Sequence, residues 1–150
     1  MSPASYRAAP PRVGSEYLTG TSAQSQIGYL LSMPVQVSDA EFDAMVEQAL
    51  DAIPDDLASL CHNVVVLVED WPGHGVPKDT LGLYDGVALP DRPANHAGLL
   101  PDRILIFRQP LLAYCNDEVE LRKQIEITIV HEIAHFFGIG HDVLDALGYG

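Results

Sequence analysis

Near the carboxyl end, His131-Glu132-Ile133-Ala134-His135-Phe136-Phe137-Gly138-Ile139-Gly140-His141 sets three imidazoles and a carboxylate in the order HExxHxxGxxH. This run constrains the fold more than any other, because it acts as one unit only if its first half is helical and the helix stops on time. Residues four apart lie about 40° apart around a helix axis, so His131 and His135 share a face, with Glu132 beside them. Gly138 can take the left-handed conformation that ends a helix, and the return to His141 then brings a third imidazole under the first two. Three histidines suit tetrahedral zinc with one position left for water, although imidazoles also suit other ions. The pattern predicts a Zn2+ site on His131, His135 and His141, with Glu132 as a base that does not bind the metal.

The flanking sequence agrees with this. Asn116 reads as an N-cap with Asp117 and Glu118 in the first turn, where carboxylates favour the helix dipole, and a long helix runs to about Phe137. Leu121, Ile125, Ile129, Ile133 and Phe136 fall on one face, widened by Val130, Ala134 and Phe137. Gln124, Thr128, His131 and His135 gather opposite, which reads as a polar face outside the core. Further upstream, Ser38-Asp39-Ala40-Glu41 is a capping box that opens an amphipathic helix through Phe42, Met45, Val46, Leu50 and Ile53. Asn63 to Asp70 is a β-branched run that reads as a central strand, and Arg103 to Arg108 as a second one. Leu81 to Val87 reads as a short edge strand able to receive a peptide, Pro110 to Tyr114 as a short helix, and Asp142 to Leu147 as a last helical turn or two.

With 150 residues, 47% of them hydrophobic, the chain can build one domain around a single modest core. Residues 1–32 are rich in Ser, Ala, Pro, Gly, Gln and Thr without periodicity and read as a disordered leader, with Met33 as an alternative start and 33–150 as the domain. No apolar run is longer than Val64 to Val68, and residues 1–32 hold no apolar segment fit for export, so neither a membrane span nor secretion is expected and the location reads as cytoplasmic. Cys61 and Cys115 lack a CxxC pairing and read as free, reduced thiols. The formal charge of -13, with Lys78, Lys123 and six dispersed arginines as the only fixed cations, disfavours nucleic acid as a partner. A neutral or basic peptide or protein substrate fits better, although the acidity serves solubility equally well.

The segments NVVVLVED (63–70), LGLYDGVALP (81–90), LPDRILIFRQPLL (100–112) and HEIAHFFGIGHDVLDALGY (131–149) together resemble the bacterial minimal zincin-like metallopeptidase family, over roughly Val37 to Gly150. The resemblance implies a compact α+β domain: a small mixed β-sheet, the HExxH helix packed against it, and a shallow cleft along an edge strand. It also implies zinc on His131, His135 and a third ligand at or next to His141, with Glu132 as base. Asp142 is an alternative third ligand or a partner of the ligand set. Unlike the metzincin proteases that share the motif, the chain has Met1, Met33 and Met45 all upstream, and only nine residues follow His141. A Met-turn is therefore not expected and a peptide would be held from one side only, which predicts weak or partner-dependent proteolysis.

Zinc in such a site lowers the pKa of its water toward 7, and Glu132 takes the proton as the water attacks a polarised carbonyl. Tyr84, Tyr149 and His96 are candidates for a second oxyanion stabiliser. Two other functions compete with peptide hydrolysis. The interval His-x3-His-x5-His also resembles the metal-dependent endoribonucleases that mature ribosomal RNA, against which stand Glu132 and the negative charge. Alternatively, a zinc ion closed off by four ligands would staple the helix to the C-terminal segment in a non-catalytic binding module.

Overall fold

The computed structural model describes residues 5–7, 34–95 and 100–147. A short strand, β1 (Ser5–Arg7), precedes the patterned part of the chain. Ser38 then closes the expected capping box: its side chain accepts from the Glu41 N–H while the Glu41 carboxylate accepts from the Ser38 N–H. That box opens α1 (Asp39–Asp51), which buries Phe42, Met45 and Val46. After Pro54 comes the single turn α2 (Asp55–Ala58). Asn63, at φ +56°, steers the chain into β2 (Val64–Glu69). There follow β3 (Thr80–Asp85), a 3-10 turn at Leu89–Asp91, β4 (Asp102–Phe107), α3 (Arg108–Tyr114), α4 (Glu118–Phe136) and α5 (His141–Leu147).

The strands form one mixed sheet in the order β1-β3-β4-β2. β2 and β4 pair in parallel from Val64↔Asp102 to Glu69↔Phe107, and β3 and β4 pair antiparallel from Gly82↔Ile106 to Asp85↔Arg103. Two sequence expectations are corrected here. The β-branched run is not central: β2 lies at the sheet's edge, where alternate residues are half-buried and exposed, with Val65 and Leu67 open to solvent. β4, paired on both sides, holds the centre and buries Ile104 and Ile106. Nor is β3 an edge, because Ser5–Arg7 pairs antiparallel along its other side. Those three residues belong to the stretch expected to be a disordered leader, and the rest of that stretch, Met33 included, lies outside the described residues.

The main core lies on one face of the sheet. Phe42, Met45 and Val46 of α1 and Leu111 and Leu112 of α3 meet Leu121, Ile125, Ile129, Ile133 and Phe136 of α4 over Leu81, Tyr84, Ile104 and Ile106. On the other face a smaller cluster joins Leu83, Leu105 and Phe107, with Val76 packed on it. Arg108 ties the layers together. Its guanidinium lies over the Phe42 ring at 5.4 Å, donates to Asp70 at 2.6 Å and Asp43 at 3.0 Å, and has Asp39 at 3.7 Å. Both described cysteines are free thiols. Burial, followed by the charges of Glu120 and Asp117, pushes the Cys115 thiol up to about 12, and burial also raises that of Cys61, so neither is primed as a nucleophile. No helix among the described residues is long and apolar enough to cross a membrane.

Candidate metal centre

The site is built on α4. Its N-cap is Asp117, one residue beyond the expected Asn116: the Asp117 carboxylate accepts from the Glu120 N–H at 2.8 Å. Asn116 instead donates its N–H and side-chain amide to Glu120, tightening the same turn from outside. The apolar stripe of Leu121, Ile125, Ile129, Ile133 and Phe136 is buried as the periodicity predicts.

The opposite face departs from expectation. Gln124, Thr128, His131, Glu132 and His135 are buried too. The cause is β3, which lies across this face at Gly82. A Cβ there would come within 2.6 Å of Thr128 Cγ2, 3.2 Å of the Leu105 carbonyl and 3.3 Å of Glu132 Cγ, so only a glycine lets strand and helix approach this closely. Thr128 donates its hydroxyl to the Gln124 carbonyl at 2.8 Å, which satisfies it within the helix. Glu132, fully buried, accepts the Tyr84 backbone N–H at 2.8 Å. The carboxylate expected to act as base is thus held by the strand next to it.

The end of α4 forms as predicted. Gly138 sits at φ +76°, its N–H donates to the His135 carbonyl at 3.0 Å, and the Ile139 N–H donates to the Ala134 carbonyl at 2.9 Å. This crossed pair of bonds is a Schellman motif, which turns the chain through a left-handed residue and satisfies two terminal carbonyls. A Cβ at Gly138 would lie 2.7 Å from Pro90 Cγ, so the 3-10 turn braces the return from outside. α5 begins at His141.

These turns gather His131, His135 and His141 so that one ligand atom from each lies within 4.8 Å of the others. Their ring centroids are 4.7 Å apart for His131–His135, 5.0 Å for His131–His141 and 4.7 Å for His135–His141. His131 and His135 are buried and His141 is exposed, which leaves the cluster one open side. Burial, then the neighbouring His131 and His141, pull the His135 imidazole down to about 4, so it is neutral near pH 7 with a lone pair to offer. Its buried Nε2 has no hydrogen-bond partner among the described residues. A dry, neutral imidazole aimed at two others fits a divalent cation.

Asp142, the alternative third ligand, is not among the atoms so gathered; its Oδ1 lies where a Cβ on Gly140 would be 2.8 Å away. Tyr84 is no free oxyanion donor, because its hydroxyl donates to Asp102, which also pairs with Arg92, and its ring meets Phe136 edge-on. Burial first, and then the bond to Asp102, push its phenol well above the ordinary range. His96 and Tyr149 lie outside the described residues, while His62 and His74 are exposed loop residues. Sequence reasoning missed the Tyr84 N–H, the close approach at Gly82 and the brace at Pro90. Only Gly82 carried a signal, a glycine inside an apolar strand.

A family profile described as zincin-like metallopeptidase matches residues 61–150. Among solved structures the chain is similar to a conserved hypothetical protein from Thermo thermophilus, at 22% identity and a TM-score of 0.48, over 74% of this chain and 97% of that one. No curated protein matches the chain.

Proposed function

Because the chain belongs to the zincin-like metallopeptidase family, we propose that it is a zinc-dependent peptidase in which His131, His135 and His141 hold the metal and Glu132 is the general base. The observation that carries this reading is the convergence of three imidazole nitrogens within 4.8 Å at the end of the helix that also bears Glu132. Zinc bound there would polarise the scissile carbonyl and acidify an attacking water.

The remaining chemistry falls to the chain itself. Glu132 takes one proton as the water oxygen bonds to the carbonyl carbon, then delivers it to the amine nitrogen as the C–N bond breaks. The Tyr84 N–H holds that carboxylate in one orientation, so it need not be ordered during the reaction. His135, neutral because it is buried, remains a ligand well below pH 7. The substrate we propose is a neutral or basic peptide, since a net charge of -13 repels polyanions.

The test is metal content and hydrolysis of a quenched, mixed-sequence peptide library by the wild type and Glu132→Gln side by side. One zinc per chain is expected in both, because the side-chain amide carbonyl of the variant can still accept from the Tyr84 N–H. Hydrolysis is expected to fall by about 10²–10⁴-fold in the variant. Zinc without hydrolysis in either protein would overturn the peptidase reading, and absence of metal would overturn the site.

A further inference from the structure

β3 has two sides: β4 pairs along one, and β1 along the other in the register Ser5↔Leu83, Tyr6↔Gly82 and Arg7↔Thr80. That second side runs next to the chemistry. Gly82 turns a face of the strand onto Thr128 and Glu132 of α4, and Tyr84, one position past the last β1 pair, gives its N–H to the Glu132 carboxylate. β1 lies beside α4 as well as β3, and its pairing stops at Leu83, one position short of Tyr84. The pairing is short and its register slips between Tyr6 and Arg7, which suits an occupant that can leave. Charge favours it too. Residues 1–33 carry Arg7 and Arg12 against the single acid Glu16, whereas the remainder of the chain holds twenty acids and six fixed cations.

We infer that the second side of β3 is a strand-docking edge whose resident occupant is the chain's own amino-terminal segment, added as an antiparallel strand, and that this segment competes with substrate peptides for the edge. The competition rests on the peptidase reading above; the docking does not.

The test uses the full chain carrying Ser5→Pro and Tyr6→Pro together. Of two adjacent strand residues one turns its N–H toward the partner strand, and proline has none, so the pair disrupts the ladder whichever residue donates. Amide exchange across β3 is expected to rise at least tenfold in the variant. A fluorescent peptide with the sequence of residues 2–9 is expected to bind the variant several-fold more tightly than the wild type. The KM for the peptide library is expected to fall by a similar factor at unchanged kcat. Unchanged exchange, or peptide binding no tighter than wild type, overturns the docking. Faster exchange with an unchanged KM overturns the competition. Should neither protein hydrolyse the library, the peptidase reading fails while exchange and peptide binding still decide the docking.

Discussion

Gly138 carries two demands at once. Its φ of +76° disfavours any side chain, and Pro90 fills the space where a Cβ would go. Gly138→Ala is therefore expected to cost about 1–3 kcal/mol in urea unfolding and to weaken zinc binding, because His141 depends on this turn for its position. Gly138→Asn separates the two demands: it tolerates the backbone but not the contact, so it too is expected to destabilise. Gly82→Ala is expected to cost about 1–3 kcal/mol by overpacking, and Thr128→Ser, which removes the methyl 2.6 Å away, to recover part of the loss in a double-mutant cycle. His135→Ala is expected to abolish stoichiometric zinc binding by elemental analysis. The gathering of the three histidines could be read from the sequence because it follows from helical spacing and one glycine. Pro90 and Tyr84 could not, because each meets the site from 48 residues away in sequence, in contacts that only the fold creates.

Elements governed by local rules were legible. The capping box of α1 and the apolar stripe of α4 depend on neighbours three and four residues away, and both form as read. Strand order was not legible: a run such as Val64–Val68 signals strand but says nothing about who pairs beside it, and β2 proved an edge. The polar face of α4 misled for the same reason, since burial there comes from a strand that has no side chain at Gly82. Arg108 shows what holds the elements together, reaching Asp43 on α1 and Asp70 just past β2. Arg108→Met keeps the stem over Phe42 and removes the ion pairs. The expected loss in thermal or urea unfolding is about 1–2 kcal/mol, because the abandoned carboxylates are largely exposed and rehydrate.

For the whole molecule, the buried histidine makes stability depend on pH. His135 has a folded pKa of about 4 against an ordinary 6.5, so below pH 6.5 the unfolded chain takes a proton that the native state refuses. Stability is whole above 6.5 and drains away as pH falls toward 4. Metal-free wild type is expected to lose more Tm between pH 7.5 and 5 than His135→Leu, measured by scanning calorimetry; equal losses would remove His135 as the cause. The α+β class and the helix-borne site could be read at this scale, whereas β1 could not, because three residues without periodicity give no local signal. The open side of β2 has a consequence for how these molecules tolerate one another. Among the described residues nothing pairs with its outer edge, Val65 and Leu67 face outward, and Trp71 stands exposed just beyond. Such an edge is a template for a second chain, and mutual repulsion at a net charge of -13 works against that pairing. The repulsion reaches about 8 Å in physiological salt and about 3 Å at 1 M, so salt, more than any change in the fold, sets how crowded a solution can become before copies begin to stick.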